Sequence, residues 1–228
     1  RQIPPLLTQA RSEASQEDHI WRSLLQWKKV QDRLVMRLLN EATALDPDFA
    51  EGWAANAQAH SLAVYYVNVD RDGYKKLAES MARKALELDP DFSDSHTSSA
   101  MISYLMEWDW EKSEKEFLKA LAINPSFAEA RVFYSHLLCI LQRFDEAVPQ
   151  AQLALELDPL NPNLRIWASV ALLAVGDFKS ALEVGEEIAA ADTNYYMAYS
   201  VIENAAFYCR SYDKVMEASK HLLTREVD

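Results

Sequence analysis

The stretch AINPSFAEAR, residues 122–131, has three relatives in the same chain: ALDPDFAEGW at 44–53, ELDPDFSDSH at 87–96 and ELDPLNPNLR at 156–165. Their prolines, Pro47, Pro90, Pro125 and Pro159, lie 43, 35 and 34 residues apart. A further 34 residues lands on Thr193 in AAADTNYYMAY, where the proline is gone and the surrounding pattern persists. Recurrence at this spacing is the signature of a repeat architecture, in which each unit buries its apolar face on its neighbours.

Each interval reads as two helices. Between Pro125 and Pro159, AEARVFYSHLLCILQ (128–142) and RFDEAVPQAQLALEL (143–157) are both amphipathic, and polar Gln142-Arg143 separates them. Asp145 or its neighbours open the second helix, where an acidic side chain complements unpaired amides. Pro149 falls early enough for its missing N–H to be tolerated. Pro159 biases Asp158 out of the helical region and ends the unit. The next unit, NLRIWASVALLAVGDFKSALEVGEEIAA (163–190), places Gly176 between its helices.

Small residues recur in register. Ala78, Ser113, Ala147 and Ala181 lie twelve residues before their unit's Pro or Thr, and Ala42, Ala85, Ala120 and Ala154 lie five before the prolines. An aromatic stands three residues ahead of most of the first set, at Trp110, Phe144 and Phe178, with Tyr212 similarly placed in the last unit. A ring wedged between two helices, with small residues admitting close approach, is a packing grammar. Trp110 in the WDW element (108–110) is such a wedge. Trp108 stands where a later unit has Gly176, so it caps the turn between helices or lies partly exposed.

Composition agrees. The 228 residues are 50% hydrophobic with 4 Gly, favouring helix throughout, and the net charge of -12 offers no basic stripe for nucleic acid and would repel an anionic membrane surface. No stretch approaches 18 apolar residues, and RQIPPLLTQARSEASQEDH lacks a signal-peptide core. Beginning at Arg1 rather than Met, the chain reads as a processed form or an excised piece. Cys139 and Cys209 match no metal or redox spacing, so a reduced, cytoplasmic setting is the default, with a disulfide between them the alternative.

These landmarks resemble the tetratricopeptide repeat family over nearly the whole chain. Arg131, Ser135, Gln142, Phe144, Ala147, Ala154 and Pro159 take the family's repeat positions in one unit; Arg165, Ser169, Gly176, Phe178, Ala181, Ile188 and Thr193 take them in the next. The segment from ARKALELDPDFSD through LALELDPLNP, with its WDW element, is also similar to repeat segments attached to some bacterial transcriptional regulators and cyclases. The resemblance implies an all-α, right-handed superhelical solenoid of about six antiparallel helix pairs. The expected limits are an N-terminal arm or linker at 1–14, then units at about 15–49, 50–92, 93–127, 128–161, 162–195 and 196–224, within a solenoid running to 228. The second unit carries extra residues near 66–73, read either as a binding insertion or as a lengthened helix pair closed by a loop.

The resemblance further implies a groove lined by the first helix of each unit. Glu51, Ala54, Gln58, Ser61 and Leu62 fall on it in the second unit; Glu129, Val132, His136, Cys139 and Ile140 in the fourth; Asn163, Ile166, Val170, Leu173 and Ala174 in the fifth; and Met197, Ser200, Asn204, Phe207 and Tyr208 in the sixth. The lining lacks the basic set that relatives use to clamp a C-terminal carboxylate. The expected partner is therefore a protein or peptide segment of apolar or amphipathic character. Asn204 is placed to pair with a peptide amide. Self-association, and a regulatory or sensor role within a larger protein, are the alternatives.

No enzymatic constellation is legible. The five histidines, His19, His60, His96, His136 and His221, fall in different units with no HxxxH or HExxH spacing, and the four glycines form no phosphate loop. The expectation is a non-catalytic interaction module without cofactor or metal.

Overall fold

A computed structural model describes residues 36–66 and 70–223, with backbone alone for 64–66. The arm at 1–14 and the leading half of the first unit lie outside the described residues. A helix at 36–45 (α1) is followed by ten more: α2 Ala50–Tyr66, α3 Arg71–Leu88, α4 Ser93–Ile102, α5 Trp110–Ile123, α6 Ala128–Ile140, α7 Phe144–Leu157, α8 Pro162–Ala174, α9 Phe178–Ala191, α10 Tyr196–Tyr208 and α11 Tyr212–Leu223. No strand occurs among the described residues.

The helices pair as hairpins, α2 with α3 through α10 with α11, and each pair stacks on the next. Successive first helices abut along the series α2, α4, α6, α8 and α10, whereas the second helices meet the neighbouring unit chiefly through its first helix. The first helices therefore form the tighter, inner layer. The apolar interior is a chain of three clusters: one around Ala57, Met81 and Ile102, one around Phe117, Phe133, Leu137 and Trp167, and one around Leu182, Ile188 and Ile202.

Serines at small-residue positions tie two of the pairs internally. Ser113 Oγ of α5 donates to the Ala100 carbonyl of α4 (2.9 Å), and one unit later Ser135 Oγ of α6 donates to the Ala147 carbonyl of α7 (2.8 Å). All four residues are fully or almost fully buried, so both hydroxyls are satisfied where an alanine would otherwise sit.

The turn between paired helices is left-handed at a fixed period. Trp108, Gln142, Gly176 and Arg210 have φ of 58°, 59°, 81° and 57°, and they stand 34 residues apart. After three of these turns the next amide folds back five residues, as in Arg143 N–H to the Leu138 carbonyl (2.9 Å), Asp177 to Leu172 (2.9 Å) and Ser211 to Ala206 (2.9 Å). At Trp108 the fold-back spans six residues, Asp109 N–H to the Ser103 carbonyl (3.0 Å), because α4 ends in a π-helical turn, Ser103–Glu107. A π turn absorbs one inserted residue without breaking the helix. That residue is the origin of the 35-residue interval between Pro90 and Pro125.

The 43-residue interval has an equally local cause. α2 and α3 have 17 and 18 residues where α6 and α7 have 13 and 14, so each helix gains about one turn and the connection gains one residue. The extra sequence near 66–73 builds a taller hairpin. Its benefit falls on the next unit: Arg71, opening α3, donates from Nη2 to the Leu105 carbonyl (2.9 Å) in the π turn.

Trp110 packs against the central cluster as a wedge. Trp108 is the turn residue and is 66% exposed. The two rings of the WDW element thus do different work, and neither belongs to an enclosed aromatic cage.

Candidate functional site

The inner layer is unusual in charge. Across α2, α4 with its π turn, α6, α8 and α10, the only lysines or arginines are Arg131 and Arg165, beside three histidines, His60, His96 and His136. Both arginines turn away from the inner face. Arg131 Nε donates to the Pro125 carbonyl (2.9 Å) and Nη1 to Gln150 Oε1 on α7 (2.6 Å), while Arg165 pairs with Glu187 on α9.

Carboxylates occupy the same layer in sequence. Glu51, Asp94 and Glu129 hold equivalent places near the start of α2, α4 and α6. Burial, then the charge of Glu51, raises the Asp94 carboxyl above its ordinary value; burial, then the charge of Asp94, pushes Glu129 up to about 7. Among the described residues no hydrogen bond or ion pair reaches the Glu129 carboxylate. Other partly buried glutamates differ: Glu114 holds Arg143 (2.7 Å) and Glu107 holds Lys112 (2.9 Å).

His136 lies about two turns beyond Glu129 along α6. Its Nδ1 meets the Tyr104 hydroxyl at 2.5 Å and its ring stands edge-on to Trp167, with centroids 5.3 Å apart. Burial lowers its pKa to about 4, so the imidazole is neutral at pH 7 and serves packing.

Beyond α6 the lining changes character. Val170 and Leu173 are partly buried on α8, Asn163 is exposed at its start, and Ser200 is partly buried on α10. Asn204 is exposed, but its amide nitrogen already donates to the Ser200 carbonyl (2.8 Å), leaving its oxygen free. Phe207 and Tyr208 are 57% and 59% exposed; Tyr208 stacks on Phe178, centroids 4.4 Å apart, and meets Phe207 edge-on at 5.6 Å.

Four expected groove residues lie elsewhere. Val132 and Ile166 are buried, at 0% and 3% exposure, inside the central and C-terminal clusters, and on α2 Ala54 and Ser61 are fully buried, with Ser61 Oγ donating to the Ala57 carbonyl (2.9 Å). Ala54 and Thr97, both 0% exposed, are the equivalents of Val132 and Ile166 in their units, so this repeat position faces the adjoining unit. Ser200 keeps some exposure at that position because no described unit follows it. Cys139 and Cys209 are unpaired. His96 turns to Glu116 (2.7 Å) and the Pro90 carbonyl (2.9 Å) within its own unit. No group of three or more metal-binding side chains exists among the described residues.

Stacked helix hairpins with left-handed turns and a Pro-terminated period near 34 define a tetratricopeptide-repeat solenoid, and solved structures bear out that class. PilF of Pseudomonas aeruginosa superposes with a TM-score of 0.60 at 20% identity, covering 78% of this chain and 79% of that one. YrrB, described as a tetratricopeptide-repeat protein with an unusual peptide-binding site, superposes with a TM-score of 0.50 at 18% identity, covering 81% and 90%. In sequence, the chain is 28% identical over 101 residues to tetratricopeptide repeat protein 6 of Homo sapiens. That match takes in 43% of this chain and 19% of the human protein, so it spans about a fifth of the relative's length. No protein-family model matches the sequence.

No helix among the described residues is long and apolar enough to cross a membrane.

Proposed function

We propose that the inner face binds a segment of another protein, with Val170, Leu173, Phe207 and Tyr208 forming an apolar floor and Asn163, Ser200 and Asn204 offering polar contacts. The observation that carries this reading is the pair of large rings, Phe207 and Tyr208, left more than half exposed on the inner layer. YrrB, with its peptide-binding site, supports the same use of the fold. On this reading the module is non-catalytic and works in the cytoplasm, where Cys139 and Cys209 stay reduced. It would serve alike alone or attached to a regulator or cyclase of the kind its repeats resemble.

Photo-crosslinking tests the location. A benzophenone amino acid replaces Tyr208 in one variant and Leu118, exposed on the second-helix layer, in another. Crosslinks from position 208 that vanish in the Val170→Glu variant support the groove. Crosslinks from 118 alone move the contact to the outer face and overturn it.

A second reading rests on α11. Tyr212 and Met216 are 59% and 60% exposed, whereas Leu182, the counterpart of Met216 one unit earlier, is 8% exposed under the next hairpin. This open edge suits stacking between copies. Sedimentation velocity against concentration checks it: Met216→Lys abolishes any dimer that forms through this edge.

A further inference from the structure

The groove's two halves differ in chemistry, and the difference specifies an occupant. Toward α2 the inner layer carries Glu51, Asp94 and Glu129, whose carboxylates have no ion-pair partner among the described residues; toward α10 it carries Val170, Leu173, Phe207 and Tyr208. We propose that the groove's partner is a cationic amphipathic segment, whose apolar face lies on α8 and α10 and whose lysine or arginine seats on Glu129. The inference rests on the groove reading above and adds the partner's charge.

Three observations support it. Like charges at equivalent places on adjacent helices repel, and the two arginines of the inner helices are engaged elsewhere, Arg131 with Pro125 and Gln150, Arg165 with Glu187. Glu129 is partly buried yet has no hydrogen-bond or ion-pair partner among the described residues, so an arriving cation gains a carboxylate that the protein itself leaves unneutralised. The path has the right size. Glu129 sits at the start of α6 and Phe207 near the end of α10, an axial offset of about 15 Å at 1.5 Å per residue; two helix spacings of about 8–10 Å lie between the rows, so the span is about 22–25 Å, or four to five helical turns of a partner.

The groups facing Glu129 fix the sense of the pH response. Asp94 on α4 raises its pKa, Glu51 on α2 does the same for Asp94, α8 brings the uncharged Asn163, and on α6 itself His136 is neutral and Arg131 is turned outward. An arriving ammonium or guanidinium group favours the ionised carboxylate, so binding expels a proton near neutral pH and strengthens as pH rises.

Fluorescence anisotropy with a labelled leucine–lysine amphipathic peptide, beside the same peptide with every lysine replaced by glutamate, tests the proposal on the full 228-residue chain. The lysine peptide is expected to bind, about tenfold more tightly at pH 8 than at pH 6, and the glutamate peptide is not. Glu129→Gln should lose that tightening, with an unchanged helical circular dichroism signal, while Glu183→Gln on the outer layer behaves as the parent. Equal binding of both peptides, binding of neither, or an equal loss in E183Q overturns the inference. If lysine-peptide binding ignores Val170→Glu and Tyr208→Ala, the peptide is outside the groove and the groove reading falls with it. A natural partner that crosslinks to position 208 but is indifferent to pH and to E129Q overturns the charge inference alone.

Discussion

The guanidinium of Arg71 lies over the ring of Trp108, its central carbon 5.6 Å from the centroid, while Nη2 donates to the Leu105 carbonyl at 2.9 Å. One side chain from the tall hairpin thus clasps both the π turn and the turn residue that follows it. Arg71→Ala is expected to lower stability by about 1–2 kcal/mol, below the ~2–4 kcal/mol that a charge-assisted hydrogen bond and a cation–π contact sum to, because the hydrogen bond is solvent-exposed. Arg71→Lys should recover less than half, since an ammonium cannot stack flat and reach the carbonyl together. Urea unfolding monitored by circular dichroism reads both.

The left-handed turns give a paired prediction of opposite sign. Gln142 has φ of 59° and Gly176 has φ of 81°. Gln142→Gly is expected to stabilise by roughly 0.5–1 kcal/mol, by relieving a conformation that side chains disfavour, and Gly176→Ala to destabilise by about 1 kcal/mol. Thermal melts of the two variants check it; a stabilising Gly176→Ala would contradict the turn geometry.

Gly185 sets helix propensity against packing. In the middle of α9, alanine would ordinarily gain about 1 kcal/mol over glycine. Here a Cβ would stand 2.9 Å from Ile202 Cγ1 and 3.2 Å from the Ala198 carbonyl oxygen on α10. The clash with backbone wins, and Gly185→Ala should destabilise by about 1–3 kcal/mol. Loss of cooperativity confined to the C-terminal helices, read by hydrogen exchange, would locate the effect.

Glu129 and His136 tilt the pH profile at opposite ends. The Glu129 pKa rises from 4.5 to about 7, so the folded chain holds an extra proton there: its contribution is greatest below pH 4.5 and is lost as pH climbs through 7. The His136 pKa falls from 6.5 to about 4, so its contribution is full above pH 6.5 and is lost as pH drops toward 4. Glu129→Gln should therefore gain about 2 kcal/mol relative to the parent between pH 5 and pH 8, and His136→Gln should flatten the acid limb. Urea midpoints measured across pH 4–8 separate the two.

Much of the architecture was legible because proline, alanine and aromatic positions recur in register. The wedge role of Trp110 followed from its equivalence to Phe144 and Phe178, and the unequal proline spacings marked where residues had been added. What those residues build was less visible. A π turn carries no composition signal, and the glycine preference for left-handed turns is kept only at Gly176 among 108, 142, 176 and 210. The groove was read by repeat position alone, which could not separate Val132 and Ile166, covered by the next hairpin, from Val170 and Leu173, which keep some exposure. The unneutralised state of Glu129 depends on which way Arg131 turns, and only the three-dimensional contacts reveal that.

Because the second helices meet the neighbouring unit chiefly through its first helix, the first helices both line the groove and join one hairpin to the next. A segment laid along the groove would therefore rest on the same helices that hold the stack together, and the seams between hairpins are where its arrival would register.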